Sequence, residues 1–89
     1  RVEKDGRKVN LATKEFELLK YLAERPDRVV GRDELLRNVW GYHTSTTRTL
    51  DVHVAQLRQK LEPNPAAPAL LLTIRGQGYQ FCSQPRNAG

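Results

Sequence analysis

Eighty-nine residues, 38% hydrophobic and 28% charged, suit one domain with a single modest core and exclude both a second domain and a disordered chain. The net charge of +5 and the pI near 9.8 favour a polyanionic partner without naming it. The longest apolar runs, such as 69–72, are far too short to cross a bilayer, and no signal-peptide pattern opens the chain.

The single cysteine, Cys82, excludes an intrachain disulfide, in keeping with a reducing cytoplasm. Beside Phe81 it reads as a packed or edge-strand residue rather than a nucleophile, and no zinc spacing or cofactor motif is present. A chain with no Met that opens on Arg1 is expected to be part of a longer protein. Charge is unevenly spread: three acids cancel three bases on each side of Pro26 between Ala12 and Gly41, while 63–89 holds Arg75 and Arg86 and no acid.

Residues 1–11 read as two strands, Val2 and Val9 to Leu11 flanking the turn signal Asp5-Gly6. Residues 13–25 have a helical period, with Phe16, Leu18, Leu19, Leu22 and Ala23 on the apolar side and Tyr21 alongside. Thr13 is the expected N-cap, Glu15 suits the helix dipole, and Pro26-Asp27 stops the helix. Val29-Val30 is a short strand-like step. A second helix, 32–40, presents Leu35, Leu36, Val39 and Trp40 and is expected to close on a left-handed Gly41. Tyr42, His43, Thr44, Ser45 and Thr46 form a polar loop.

The third helix, 47–62, ends because Pro63, Pro65 and Pro68 cannot continue it. After the turn at 63–69 comes a hairpin, 70–82, with strands on either side of Gly76-Gln77-Gly78. Residues 84–89 read as a frayed tail beyond a domain of 1–83. The order is hairpin, helix, short strand, helix, helix, hairpin.

At about 100° per residue, Leu50, Val54, Leu57 and Leu61 share one stripe of the third helix. Opposite them lie Arg48, Val52, Ala55, Gln56 and Gln59, with His53 and Lys60 on one flank and Asp51, Arg58 and Glu62 on the other. That acid-free back suits base edges: Arg bonds guanine, Gln bonds adenine, and Val or Ala meets the thymine methyl. An ordinary solvated face explains the helix alone equally well. The hairpin separates the two readings, because no turn geometry requires Arg75 beside Gly-Gln-Gly, whereas a slender arginine suits a narrow minor groove. Thr73 and Tyr79 place hydroxyls near phosphates at the base of this projection.

The segments LATKEFELL at 11–19, RDELLRNVWG at 32–41, RTLDVHVAQLRQKL at 48–61 and TIRGQGYQF at 73–81 closely resemble the OmpR/PhoB effector domain, the C-terminal half of many bacterial response regulators. The resemblance implies an α+β winged helix-turn-helix: three helices, an antiparallel N-terminal sheet of which 1–11 is the remnant, and a C-terminal β-hairpin wing. It implies that Trp40, Arg48, Val52, His53, Gln56 and Arg58, with Thr73, Arg75 and Tyr79 of the wing, meet double-stranded DNA. By the same resemblance, residues 42–46 touch RNA polymerase and the domain pairs head to tail on direct repeats. A receiver domain phosphorylated by a sensor kinase then precedes it, and Asp51 is not the phosphoacceptor but a local capping or ion-pair residue. Two positions depart from the family. Ala55 and Gln56 stand where some relatives carry Arg. Ala12 replaces the usual capping Thr, so Thr13 takes the cap one residue later or the helix start weakens by about 1 kcal/mol.

Three rival functions are left. With His43 and His53 the only histidines and no catalytic spacing, an enzyme has no support. A winged helix used for protein contacts would use Val52 and Ala55 as its interface. RNA binding lacks a row of stacking aromatics.

Overall fold

A computed structural model describes residues 2–4, 6–41 and 47–84, the side chains of 2–4 and 7 excepted. The loop 42–46 and the tail beyond Gln84 lie outside the described residues. Strands β1 (Val2–Lys4) and β2 (Arg7–Val9) pair antiparallel across a two-residue connection, with Val2 opposite Val9. Helix α1 (Thr13–Ala23) follows. Then come α2 (Arg32–Leu35), continued by a π-helical turn over Leu36–Trp40, and α3 (Thr47–Leu61). Strands β3 (Leu71–Ile74) and β4 (Gly78–Phe81) form the C-terminal hairpin, with Thr73 opposite Tyr79.

The core lies where the three helices meet the second hairpin. Leu18 and Leu22 of α1, Leu35 of α2, Leu50, Val54 and Leu57 of α3, and Val30 and Leu71 are essentially without solvent exposure. Each such side chain contributes about 1.5–3 kcal/mol by leaving water. The helical stripe read for α3 is therefore the buried one. For α1 the stripe is narrower than expected: Leu18, Leu19 and Leu22 are buried, but Phe16 is 42% exposed and Ala23 faces solvent.

The start of α1 corrects a second expectation. Thr13 is the first helical residue rather than the cap, and extended Ala12 holds the cap position with no side chain to bond the helix. Glu15 supplies the reverse half of a capping box, its carboxylate accepting the Ala12 N–H at 3.0 Å. That carboxylate is buried and also accepts Lys60 Nζ of α3 at 2.6 Å, so one acid fixes both the helix start and its packing on α3. Burial pushes its pKa up. The Lys60 bond, the Ala12 amide and the positive charge nearby outweigh that and hold it below the ordinary value.

Helix 32–40 is also not uniform. Its last turn widens to π geometry, and Lys14 Nζ donates to the Val39 carbonyl near its end at 2.7 Å. Gly41 has φ 78° and ψ −176°, a conformation that suits glycine but is extended rather than left-handed helical.

The second hairpin is larger than its two strands. Val30 joins it as a third, one-residue rung, exchanging N–H···O bonds of 2.8 and 3.0 Å with Tyr79. This explains Gly78, read from sequence as part of the turn. It sits in β4 with φ 152°, where an added Cβ would lie 2.0 Å from the Val30 carbonyl oxygen. Here glycine serves close approach of two backbones. The turn itself is Arg75–Gln77, closed by the Gln77 N–H on the Ile74 carbonyl at 2.9 Å.

Candidate nucleic-acid interface

Because Leu50, Val54, Leu57 and Leu61 face inward, Arg48, Val52, Ala55, Gln56 and Gln59 project outward and all are exposed. Val52 is 47% exposed, a large apolar side chain held in water in the middle of a polar face. Among the described residues, Arg48, Gln56 and Gln59 make no hydrogen bond or ion pair, so their donors and acceptors are open to a partner. Arg75 is likewise exposed and unpaired, at the tip of the hairpin.

The flanks of α3 are occupied. Toward the end of the π turn, His53 packs edge-on against the half-buried Trp40, with ring centres 5.0 Å apart at 72°. His53 Nδ1 bonds the Thr49 carbonyl at 2.8 Å, which requires its proton on that nitrogen. Trp40 also packs on the core, so its ring serves structure as well as surface.

On the opposite flank, Arg58 faces β3. Its Nε and Nη2 donate to the Leu71 carbonyl at 3.0 and 2.8 Å, and Nη2 reaches Thr73 Oγ1 at 2.7 Å. This guanidinium fastens the hairpin to α3. Tyr79, expected to place its hydroxyl near phosphates, instead turns it inward. The residue is 4% exposed, and its O–H donates to Asp51 Oδ1 at 2.5 Å. Burial, then the bond to Asp51 and its negative charge, raise the Tyr79 pKa, which keeps the phenol a neutral donor. Asp51 also pairs with Arg32 Nε at 3.4 Å, as its ion-pair reading expected. The guanidinium carbons of Arg32 and Arg58 lie 5.2 and 5.8 Å from the Tyr79 ring centre.

Sequence reasoning missed two residues that build this site. Glu62, 1% exposed and next after α3, accepts the backbone N–H groups of Ala69, Leu70 and Leu71 at 2.7–3.0 Å. It thereby fixes where β3 begins relative to α3. Arg32 was the other. An acid just before three prolines and an arginine opening a helix carry no local signal of such roles. The loop Tyr42, His43, Thr44, Ser45 and Thr46 lies outside the described residues. Among the described residues, no group of three His, Cys, Asp or Glu side chains is placed to hold a metal, and no helix is long and apolar enough to cross a membrane.

Residues 6–81 match the family model described as "Transcriptional regulatory protein, C terminal". The chain is 46% identical over 81 residues to the DNA-binding response regulator MtrA of Mycobacterium tuberculosis, covering 90% of this chain and 36% of that protein. It thus spans about a third of the length of such curated relatives. Among solved structures, the Thermotoga maritima response regulator DrrB, an OmpR/PhoB homolog, superposes with a TM-score of 0.82 at 36% identity, over 88% of this chain and 36% of that one. The Klebsiella pneumoniae RstA DNA-binding domain, solved in complex with the RstA box, gives 0.78 at 36% identity, over 86% of this chain and 77% of that one. The fold that sets α3 beside the β3–β4 hairpin is thus that of a regulatory domain, and the chain belongs to the OmpR/PhoB-type C-terminal domains of transcriptional regulatory proteins.

Proposed function

We propose that this domain binds double-stranded DNA in a sequence-specific manner, with α3 in the major groove and the β3–β4 wing in the adjacent minor groove. The observation that carries the reading is the exposed set Arg48, Val52, Gln56 and Gln59, without polar partners among the described residues, along one side of a helix whose other side is core. Arg48 and Gln56 offer bidentate contacts to guanine and adenine, and Val52 a contact for a thymine methyl. Arg75 suits insertion in the minor groove, and Thr73, Trp40 and His53 border the backbone path as phosphate-side residues. Arg58 and Tyr79, both engaged within the protein, act mainly by holding this surface in shape. The similar RstA DNA-binding domain, solved in complex with the RstA box, supports DNA as the partner.

The similarity to response regulators further supports a cytoplasmic output domain of residues 1–83 with a short tail at 84–89. On that reading a receiver domain, phosphorylated by a sensor kinase, controls pairing of two copies head to tail on direct repeats near one DNA turn apart. The loop 42–46 then contacts RNA polymerase.

Selection of bound duplexes from a random pool should return a short motif, and affinity for it should fall linearly in log[salt]. Arg75→Ala should flatten that slope by about one unit while leaving the motif unchanged. A salt-independent interaction, or no enriched motif, would replace this reading with a protein-contact surface centred on Val52.

A further inference from the structure

We infer that Tyr79 and Asp51 form a joint that sets the distance between the recognition helix and the wing, making Tyr79 a positioning residue for DNA binding. The base of the wing makes its polar contacts with α3 along the flank that carries Asp51 and Arg58. Two devices meet there. Arg58 grips β3 through the Leu71 carbonyl and Thr73. Tyr79, from the neighbouring strand β4, reaches past it to Asp51, one helical turn from Ala55 on the same helix. Both strands of the wing are thus tied to α3 by polar bonds of defined length, at two positions along the helix. Hydrophobic contact alone is non-directional and permits sliding, whereas a hydrogen bond fixes separation and angle.

Asp51 has a feature that a surface built only for phosphate binding would lack. It places a negative charge on the DNA-reading helix, with its carboxylate turned to Tyr79 and to Arg32. By charge alone, an acid there weakens attraction to any duplex. Its geometry accounts for its presence: it is the acceptor that holds the wing in register. Arg32 beside it offsets the charge, and the guanidinium groups of Arg32 and Arg58 near the Tyr79 ring hold the ring in place.

This inference rests on the proposed binding mode, in which Arg75 and α3 engage the same duplex in adjacent grooves. Affinities for the selected duplex and for a scrambled one are to be measured for the wild type, Tyr79→Phe, Arg75→Ala, their double variant and Asp51→Ala, with a melting curve for each. Tyr79→Phe keeps the buried ring. It should remain folded yet bind the selected duplex about tenfold more weakly, the scale of one hydrogen bond to a charged acceptor. In its background, Arg75→Ala should cost clearly less than in the wild type, because a displaced wing no longer delivers that arginine. Asp51→Ala should tighten binding to the scrambled duplex, by removing an acid, and weaken binding to the selected one. Additive losses from Tyr79→Phe and Arg75→Ala, or tighter binding of both duplexes by Asp51→Ala, would overturn the joint while leaving wing contact intact. If Arg75→Ala costs nothing in the wild type, the binding mode itself fails and the joint with it. Should Tyr79→Phe not fold, the opposite responses of Asp51→Ala to the two duplexes decide the matter.

Discussion

The back of α3 and its wing-side flank hold similar chemical groups put to different uses. On the back, Arg48 and Gln56 stand in solvent and, among the described residues, bond nothing. On the flank, Arg58 spends three hydrogen bonds on β3, and Asp51 accepts from both Tyr79 and Arg32. Arg48 and Arg58 are the same residue type on the same helix. What separates them is whether the chain, returning as a hairpin, passes within reach. A side chain's chemistry limits what it can bind, and its neighbours in space decide what it does bind.

The flank should break first by way of its backbone. Gly78→Ala puts a Cβ against the Val30 carbonyl at a φ that L residues avoid, so rung and wing must part. A loss of roughly 3 kcal/mol or more is expected, from overpacking and backbone strain together. Urea unfolding measures it, and a loss under about 1 kcal/mol would mean that the Val30 rung yields without cost.

The comparison itself is tested by paired arginine variants. Arg58→Ala abandons the Leu71 carbonyl and should cost about 1.5–3 kcal/mol of stability, as hydrogen bonds from charged donors do. Arg48→Ala should change stability by no more than about 0.5 kcal/mol, since its exposed side chain bonds nothing among the described residues. Its effect should fall on DNA affinity instead. Equal destabilisation by the two would erase the distinction between back and flank. Gln56→Ala sharpens the back further: a penalty of roughly 1–3 kcal/mol is expected at one base position, with others unmoved. A uniform loss across all duplexes would show that this amide meets phosphate rather than a base.

Periodicity made most of the fold legible. The spacing of Leu50, Val54, Leu57 and Leu61 fixed which side of α3 is buried, and the prolines after Glu62 fixed its end. Local pattern failed where a residue answers to a distant strand. Gly78 looked like a turn glycine because its neighbour in space, Val30, is far away in the chain. Tyr79 read as a hydroxyl set near phosphates because its acceptor within the fold lies on another element. Phe16 fits the apolar period of α1 but is 42% exposed, since the described fold sets no element fully over that position. The back of α3 was readable for the converse reason: among the described residues, Arg48, Gln56 and Gln59 have no partners to discover.

The opposite flank of α3 supplies the mildest test, through Lys60. Its ammonium bonds Glu15, whose folded pKa lies below the ordinary value even though burial opposes ionisation. A depressed carboxylate pKa means that the folded state binds a proton less readily than the unfolded chain. The stabilisation is therefore complete above the unfolded pKa of about 4.3 and is lost as the pH falls through the folded value. Glu15→Gln keeps an oxygen for the Ala12 N–H but gives up the charge facing Lys60. It should lower stability slightly at pH 7 and not at all at pH 2–3, so the two melting profiles should converge on acidification. Parallel profiles would show that the pair is held by packing alone and that this flank, unlike the wing side, is committed in shape but not in charge.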